Sequence, residues 1–361
     1  MSWSRLFALA APGALLLVSL SAHAQTATAP APAQPSTKPP ADAAPAAAPS
    51  RAFRFGVATA PAKPSGTIRL MSYNIENLFD EHDDPALTGR FDDKDMTKPA
   101  AHRAASADAI RRANPDVIAL QEVESLQSLL WFRDEFLSDM GYAHVVSLDS
   151  GDSRGIENSV LSRFPLKDAK VWPGLPLGGT HPQSSEFRGE PIEFRRSPLR
   201  VTVEVPDAAK PDAAAYTLTL FVVHQKSGRD NNYWRNREAM KTVELARELL
   251  DLDPNYQIAI LGDLNCQPGE QPYRTFISGG FVDAFADRVK GDPDWITHES
   301  GRVIDHILLS PGAAGRVVPQ TRFVLGVPAR PEGVDWRTTP PPEGYASDHY
   351  PVVLDLSIAD K

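Results

Sequence analysis

The sequence predicts one α/β domain of layered, mixed β-sheets covered by helices, spanning residues 66–361. Three observations support it. Runs of β-type residues alternate with helix-type runs along the whole stretch, several β-type runs are apolar without interruption, and no second linker divides them.

In order, the expected strands are "TIRLMSY" (67–73), "DVIALQ" (116–121), "SVLSR" (159–163), "LRVTVEV" (199–205), "YTLTLFVV" (216–223), "YQIAILG" (256–262), "DHILLS" (305–310) and "VVLDLSI" (352–358). "TLTLFVVH" and "QIAILGD" read as strands buried on both faces. "LRVTVEV" switches between apolar and polar residues at each step, the pattern of a half-exposed strand. Helices are expected around residues 100–113, around 124–140, and from 232 to 250, where Ala239, Val243, Ala246 and Leu250 share a face. Pro254 and Asn255 stop that last helix, and "PDAAKPDAAA" (206–215) reads as a hairpin loop.

The N-terminus follows a different logic. Arg5 precedes an uncharged apolar segment, Leu6 to Leu20, and then "SAHAQ", whose Ala22 and Ala24 fit a small-residue cleavage site. A membrane span needs about 20 apolar residues, and this segment is shorter and broken by Pro12 and Gly13. Residues 1–24 are therefore expected to be a signal peptide cleaved after Ala24, which makes the protein periplasmic or secreted, with no transmembrane segment in the mature chain. Losing Arg5 moves the formal net charge from -9 to -10. Residues 25–65 are expected to be a disordered linker, because 17 of the 26 residues from Gln25 to Ser50 are Ala or Pro. Cys266 is the only cysteine, so no intrachain disulfide forms and a cysteine-rich metal site is excluded. Its thiol is expected to be dispensable.

The informative feature is a recurrence of polar residues where apolar runs end. Asn74 follows "IRLMSY", Glu122 follows "DVIALQ", His224 follows "TLFVV", and Asp263 and Asn265 follow "AILG"; Asp305 and then Asp348 with His349 stand at the mouths of the last two strands. Singly, each has an ordinary role: a turn former, a helix cap, a solvated acid. Gathered on one rim they would make a divalent-metal and phosphate site. Their carboxylate and amide oxygens suit Mg2+ or Mn2+, with Ca2+ as an alternative, better than Zn2+, and a histidine held by a carboxylate can activate water near neutral pH. His306 and Glu76 are assigned to structure, the latter as a surface glutamate. "DEHDDP" (80–85) reads as an acidic surface loop, since it lacks the Gly and distal Glu of an EF-hand.

The segments "MSYNIENLFD", "IALQEVE", "ENSVLSRFPL", "FVVHQKS", "LGDLNCQP", "VIDHILLS" and "SDHYPVVLDL" resemble, in order, the endonuclease/exonuclease/phosphatase superfamily. The resemblance runs from about Ile68 to Leu356 and implies a four-layer α/β sandwich with two central mixed sheets. It implies Glu122 as principal metal ligand, Asn74 as the asparagine that orients or joins that ligation, and Asp348 as a further metal-associated acid. It implies His349 as a phosphate-contacting residue and general base oriented by Asp305, Asp263 near the nucleophile or leaving group, Asn265 on a phosphate oxygen, and His224 as the second histidine of deoxyribonuclease-like and sphingomyelinase-like branches.

The expected activity is metal-dependent phosphodiester hydrolysis by an enzyme most similar to predicted extracellular bacterial nucleases, with nucleic acid as substrate and no obligate protein partner. The acidic net charge argues against a strongly basic nucleic-acid binder. Two basic clusters answer it: Arg188, Arg195, Arg196 and Arg200, and Lys226, Arg229, Arg235 and Arg237. Of these, Arg188, Arg196 and Lys226 are the expected substrate contacts. A sphingomyelinase-like phospholipase, for which Trp172 is the one candidate membrane-facing residue, or another lipid or small phosphodiester hydrolase is the alternative. A catalytically inactive binding module is the third.

Overall fold

The computed structural model describes residues 52–206 and 214–359. The expected signal peptide and most of the expected linker lie outside the described residues. In chain order the elements begin with β1 (Thr67–Leu78), α1 (Ala100–Ala113), β2 (Val117–Val123), α2 (Leu126–Phe136), β3 (His144–Ser147), β4 (Glu157–Ser162) and β5 (Leu166–Lys170). There follow β6 (Pro176–Thr180), β7 (Pro191–Glu193), β8 (Leu199–Val205), β9 (Tyr216–His224), α3 (Asn232–Leu252), β10 (Ile258–Asp263) and α4 (Gln271–Ser278). The last are β11 (Val282–Asp283), β12 (Asp305–Leu309), α5 (Pro311–Ala314), β13 (Phe323–Val324) and β14 (Val352–Ser357).

Two six-stranded mixed sheets form, in the orders β13-β14-β1-β2-β4-β3 and β11-β12-β10-β9-β8-β5, and β6 and β7 make a separate hairpin. β1 and β2 of the first sheet pack across β9 and β10 of the second. The main core lies between them, built from residues such as Leu70, Val117, Leu220 and Leu261. Ile110 and Ala113 of α1 and Leu129 and Phe132 of α2 extend it over the outer face of the first sheet. A second core, including Phe221, Trp234, Ala239, Ile260 and Phe276, joins the other face of the second sheet to α3 and α4. Helix, sheet, sheet, helix is the four-layer sandwich, and it buries both faces of the central strands, which is why those strands read as unbroken apolar runs.

Two sets of boundaries and the burial of one strand differ from the sequence-based expectation. Residues 52–65, placed in the linker by composition, are fastened to the domain: Val57 bridges to Leu325, the Phe55 ring meets Tyr350 edge-on at 5.7 Å, and Lys63 pairs with Asp116 at 2.7 Å. The second expected helix starts later and stops sooner, because Ser125 and Ser128 form a reciprocal cap at its start. β8 is not half-exposed: Thr202 is buried and Arg200 and Glu204 are partly covered, since β5 and β9 flank the strand and the Thr202 hydroxyl meets that of Thr219 at 2.9 Å. Val205 faces Tyr216 in an antiparallel pair, so the segment between them does connect a hairpin, most of it outside the described residues.

Gly262 and His306 each yield a stability prediction. Gly262 has φ +142°, and a Cβ there would lie 1.9 Å from the Val223 carbonyl oxygen, so no side chain fits between β9 and β10. Gly262→Ala is expected to cost at least about 2 kcal/mol, read as a fall in urea midpoint at unchanged slope. His306 is buried with Nε2 3.0 Å from the Cys266 carbonyl oxygen, and burial, then the charge of Arg288, pulls its pKa down to about 4. The folded ring stays neutral while the unfolded one takes a proton below about 6.5, so this contribution to stability is lost as pH falls from there toward 4. Wild type is expected to lose about 2 kcal/mol relative to His306→Gln between pH 7.5 and pH 5. Parallel curves for the two proteins would contradict it.

Candidate active site

The strand registers put the polar strand ends side by side. Asp263 at the end of β10 is opposite His224 of β9 on one side and Asp305 of β12 on the other. Across the sandwich, Asn74 of β1 pairs with Gln121 of β2. Beyond that pair the register slips, and Glu76, Asn77 and Glu122 take left-handed backbone (φ 56°, 52° and 64°). Such bulges re-aim side chains at about 1 kcal/mol or more per strained residue. Here they turn Glu122 toward the facing sheet, leaving its Oε1 3.7 Å from His224 Nε2.

The centre is a chain of polar contacts. Asp305 accepts from His349 Nδ1 at 2.9 Å, and His349 Nε2 stands 3.8 Å from Asp263 Oδ2. Asp263 accepts from the Asn265 backbone amide at 2.7 Å and from its side-chain amide at 3.0 Å. Asn74 Nδ2 reaches both Glu122 and Asp263 at 3.4 Å, and Ser347 ties the loop of His349 to the Asn74 carbonyl at 2.8 Å. Asn74, Glu122, His224, Asp263, Asn265, Asp305, Asp348 and His349 are therefore brought together.

Burial drives the proton affinities here. It raises Asp263 to about 7, helped by Asp305 and Glu122 and opposed by His349. For His349 burial works against the charged ring, but Asp305 and Asp263 outweigh it and hold the pKa well above the ordinary value. His224 goes well below, through burial and then the cations Arg196 and Arg154. Arg196 Nη1 lies 2.9 Å from His224 Nε2, a contact in which the arginine can only donate, so the neutral ring carries its proton on Nδ1. Two imidazoles are thus held in opposite states a few ångströms from one carboxylate.

Two expected substrate contacts, Arg196 and Lys226, line a cavity of about 660 Å³ together with Arg90, Arg154 and Arg195. Arg188 does not: it is exposed on the β6–β7 connection, outside that lining, because the hairpin carries it out while Arg196, just past β7, turns in to pair with Asp152. Asn265 also differs from expectation. Its Nδ2 already donates to the Gln225 carbonyl at 3.0 Å and to Asp263, so it braces Asp263 where a phosphate contact was expected. Glu76 is no surface residue either: the bulge turns it inward, and burial and then Asp348 raise its carboxyl to about 7.

Three participants were not foreseen. Arg154 donates to Asn77 and lies 3.6 Å from Glu122 Oε2. His298 packs edge-on against His349 at 4.6 Å with Nε2 3.3 Å from Asp348 Oδ2. Burial would raise Asp348, but the His298 hydrogen bond and the charge of His349 prevail and hold it well below the usual carboxylate range. Lys98 is buried and donates to the Glu76 carbonyl at 3.0 Å, and it feels Glu76, Asp348 and Glu122. The arginine in "DSRGIEN" was the one signal available, a cation in a glycine-bounded loop; His298 and Lys98 sit in loops without a pattern.

The donor set fits a hard divalent cation. Glu122, Glu76 and Asp348 are neighbouring acids, with Arg154 beside the first, Lys98 beside the second and His298 and His349 beside the third, and carboxylates gathered this closely are costly to bury without further cationic charge. Glu122 Oε2 accepts from the Asn77 amide at 3.1 Å, while Oε1 has only the long contacts to Asn74 and His224. Among the described residues, His298, Asp348 and His349 also group their ligand atoms within 4.8 Å, as do Asp263, Asp305 and His349. In the latter group His349 Nδ1 is already bonded to Asp305. Asp83, from the exposed stretch 81–85, forms a further acidic group with Asp92 and Asp93.

The model of the Endonuclease/Exonuclease/phosphatase family matches residues 71–349. The catalytic domain of human Nocturnin superposes with a TM-score of 0.52 at 15% identity, covering 82% of this chain and 97% of that one. A family protein from Bacteroides vulgatus gives 0.51 at 17% identity, covering 81% and 99%, and one from Bacteroides thetaiotaomicron gives 0.50 at 18%, covering 82% and 99%. No curated protein matches the sequence.

Proposed function

The chain belongs to the Endonuclease/Exonuclease/phosphatase family, whose members hydrolyse phosphoester bonds, and from that premise we propose that it is an exported, metal-dependent nuclease cleaving phosphodiester bonds of nucleic acid. The observation that carries the choice of substrate is the cavity beside His224. Five cations line it against three acids, Asp152, Glu186 and Glu238, and with Arg196 paired to Asp152 and Arg90 to Glu186 the lining still carries more positive than negative charge. On a chain of net charge -9 this is a local inversion of sign, suited to the phosphates that flank a scissile bond.

In this reading His349, held charged by Asp305, donates from Nε2 to a phosphate oxygen and stabilises the crowded oxyanion. This departs from the expected general-base role, because a ring whose pKa Asp305 and Asp263 hold well above its ordinary value favours a proton on both nitrogens. Asp263, which titrates near 7, takes the proton of the attacking water. Asn265 and Asn74 hold its carboxylate in place, and Arg196 with Lys226 grips the neighbouring phosphate. A divalent cation, which Glu122, Asn74 and the acids beside them would hold, supplies Lewis-acid charge stabilisation at the phosphoryl group.

The apolar leader supports export, and no helix among the described residues is long and apolar enough to cross a membrane. Trp172, the residue behind the phospholipase alternative, is half-buried and stacked on Phe221 with centroids 6.3 Å apart, so it offers little to a membrane. The test incubates the mature protein with plasmid DNA, RNA, sphingomyelin vesicles and bis-p-nitrophenyl phosphate, with Mg2+ or with EDTA. Metal-dependent nicking is expected; cleavage of the lipid alone would replace this reading with the phospholipase.

A further inference from the structure

A second cavity, of about 570 Å³, opens on the opposite flank of the reaction centre and shares Glu76, His298 and Asp348 with it. Its outer wall is the loop from Pro331 to Trp336, where Trp336 is 62% and Val334 38% exposed. What sets this indole apart from other exposed apolar side chains is its place at the mouth of a cavity, where a flat ring can serve binding.

This loop is held, not loose. Arg330, 8% exposed, donates through Nε to the Thr339 carbonyl at 2.8 Å, which closes the loop at its base. Its backbone amide and Nη1 bond the two oxygens of Glu299 at 2.7 and 3.0 Å. Thr338 and Thr339 donate their amides to the Asp335 carbonyl at 3.1 and 2.9 Å, which shapes the turn after Trp336. A buried arginine and a hydrogen-bonded turn thus fix an exposed ring at the mouth of a cavity that leads to Asp348. Ordering the loop in advance lowers the entropic cost of using it in binding.

The lining mixes signs. Glu299 pairs with Arg330 at 3.0 Å, Glu76 and Asp348 at the inner end stand with the acids that would hold the cation, and Glu332, Arg54 and Arg302 complete the charged lining, so the wall offers acceptors and donors to the edge of a base and cations to its phosphate. The Arg337 guanidinium lies over one face of the Trp336 ring, 4.6 Å from its centroid, which leaves the other face for a base and puts a cation at the rim where a following phosphate would pass. A flat, amine-bearing ring with an anion attached outside it is a nucleotide. Resting on the nuclease reading above, we infer that Trp336 is the stacking face of a subsite for the nucleobase next to the scissile phosphate, on the flank opposite the cationic cavity. Base stacking on an aromatic side chain is tolerant of sequence, so this subsite favours stripped-out single strands without choosing among bases.

The experiment compares kcat/KM of wild type, Trp336→Phe and Trp336→Ala on a single-stranded 12-mer and on the same 12-mer carrying abasic residues, all with Mg2+. Wild type is expected to prefer the intact strand by about tenfold; the preference collapses toward one in Trp336→Ala and largely returns in Trp336→Phe. An equal preference in wild type and Trp336→Ala overturns the subsite and leaves nuclease activity standing. A wild type that nicks plasmid DNA but cleaves neither 12-mer overturns the subsite alone, whereas one that cleaves neither plasmid nor 12-mer overturns the nuclease reading, and the nucleobase assignment with it. Because the residue is solvent-exposed, both variants should keep the wild-type circular dichroism spectrum, which confirms that the comparison concerns binding.

Discussion

His349→Ala is expected to lower kcat on a phosphodiester by about 10³-fold while the protein remains folded. The ring bonds Asp305 through one nitrogen and stands beside Asp263 with the other, so its removal takes away the charged donor to the phosphate and lets the two carboxylates face one another. Asp305→Asn separates the two effects. It preserves a hydrogen-bonding partner for Nδ1 but removes the charge that keeps the ring protonated, and about a 10²-fold loss is expected. Single-turnover rates at saturating Mg2+ measure both, and rates within threefold of wild type for His349→Ala would remove this residue from the chemistry.

Glu122→Gln has the other large effect, and it acts on the cation. The amide is the same shape but carries no charge, and one of its two ends can only donate, so the site loses an anionic oxygen where the bulge presents it. Half-saturation by Mg2+ is expected to rise by about 10²-fold. Mn2+ binding followed by electron paramagnetic resonance reads the same loss without turnover. If the affinity for both metals is unchanged in the variant, Glu122 is not a ligand and the cation must be sought at Asp348 and His298.

Strands buried on both faces were legible because a short, unbroken apolar run rich in branched residues is stable in water only when it is covered from both sides, and β9 and β10 match that pattern closely. Their terminal residues were legible for the same reason: a polar side chain directly after such a run has to emerge at the rim. β11 and β13, with two residues each, carry no periodicity, since they exist through a partner strand. The contributions of loops escaped notice on similar grounds. Arg188 and Arg196 lie in one basic stretch, yet only the path of the β6–β7 hairpin sends one outward and the other to His224. His298 meets His349 because the "THESGR" turn folds back beside it, a contact that depends on where a loop lands. The start of the domain has no sharp compositional edge: Ala and Pro still recur within residues 52–65, but Phe53, Phe55 and Val57 interrupt them, and Phe55 and Lys63 find docking partners.

The left-handed chain at Glu122 has a consequence for laboratory evolution. Glycine would sit in that conformation with less strain than any side chain, so breeding for heat tolerance alone should drift toward Glu122→Gly and yield sturdier, idle protein. Keeping an acid there sacrifices durability for turnover, and screens that reward survival without also scoring product will select against the carboxylate proposed to hold the ion.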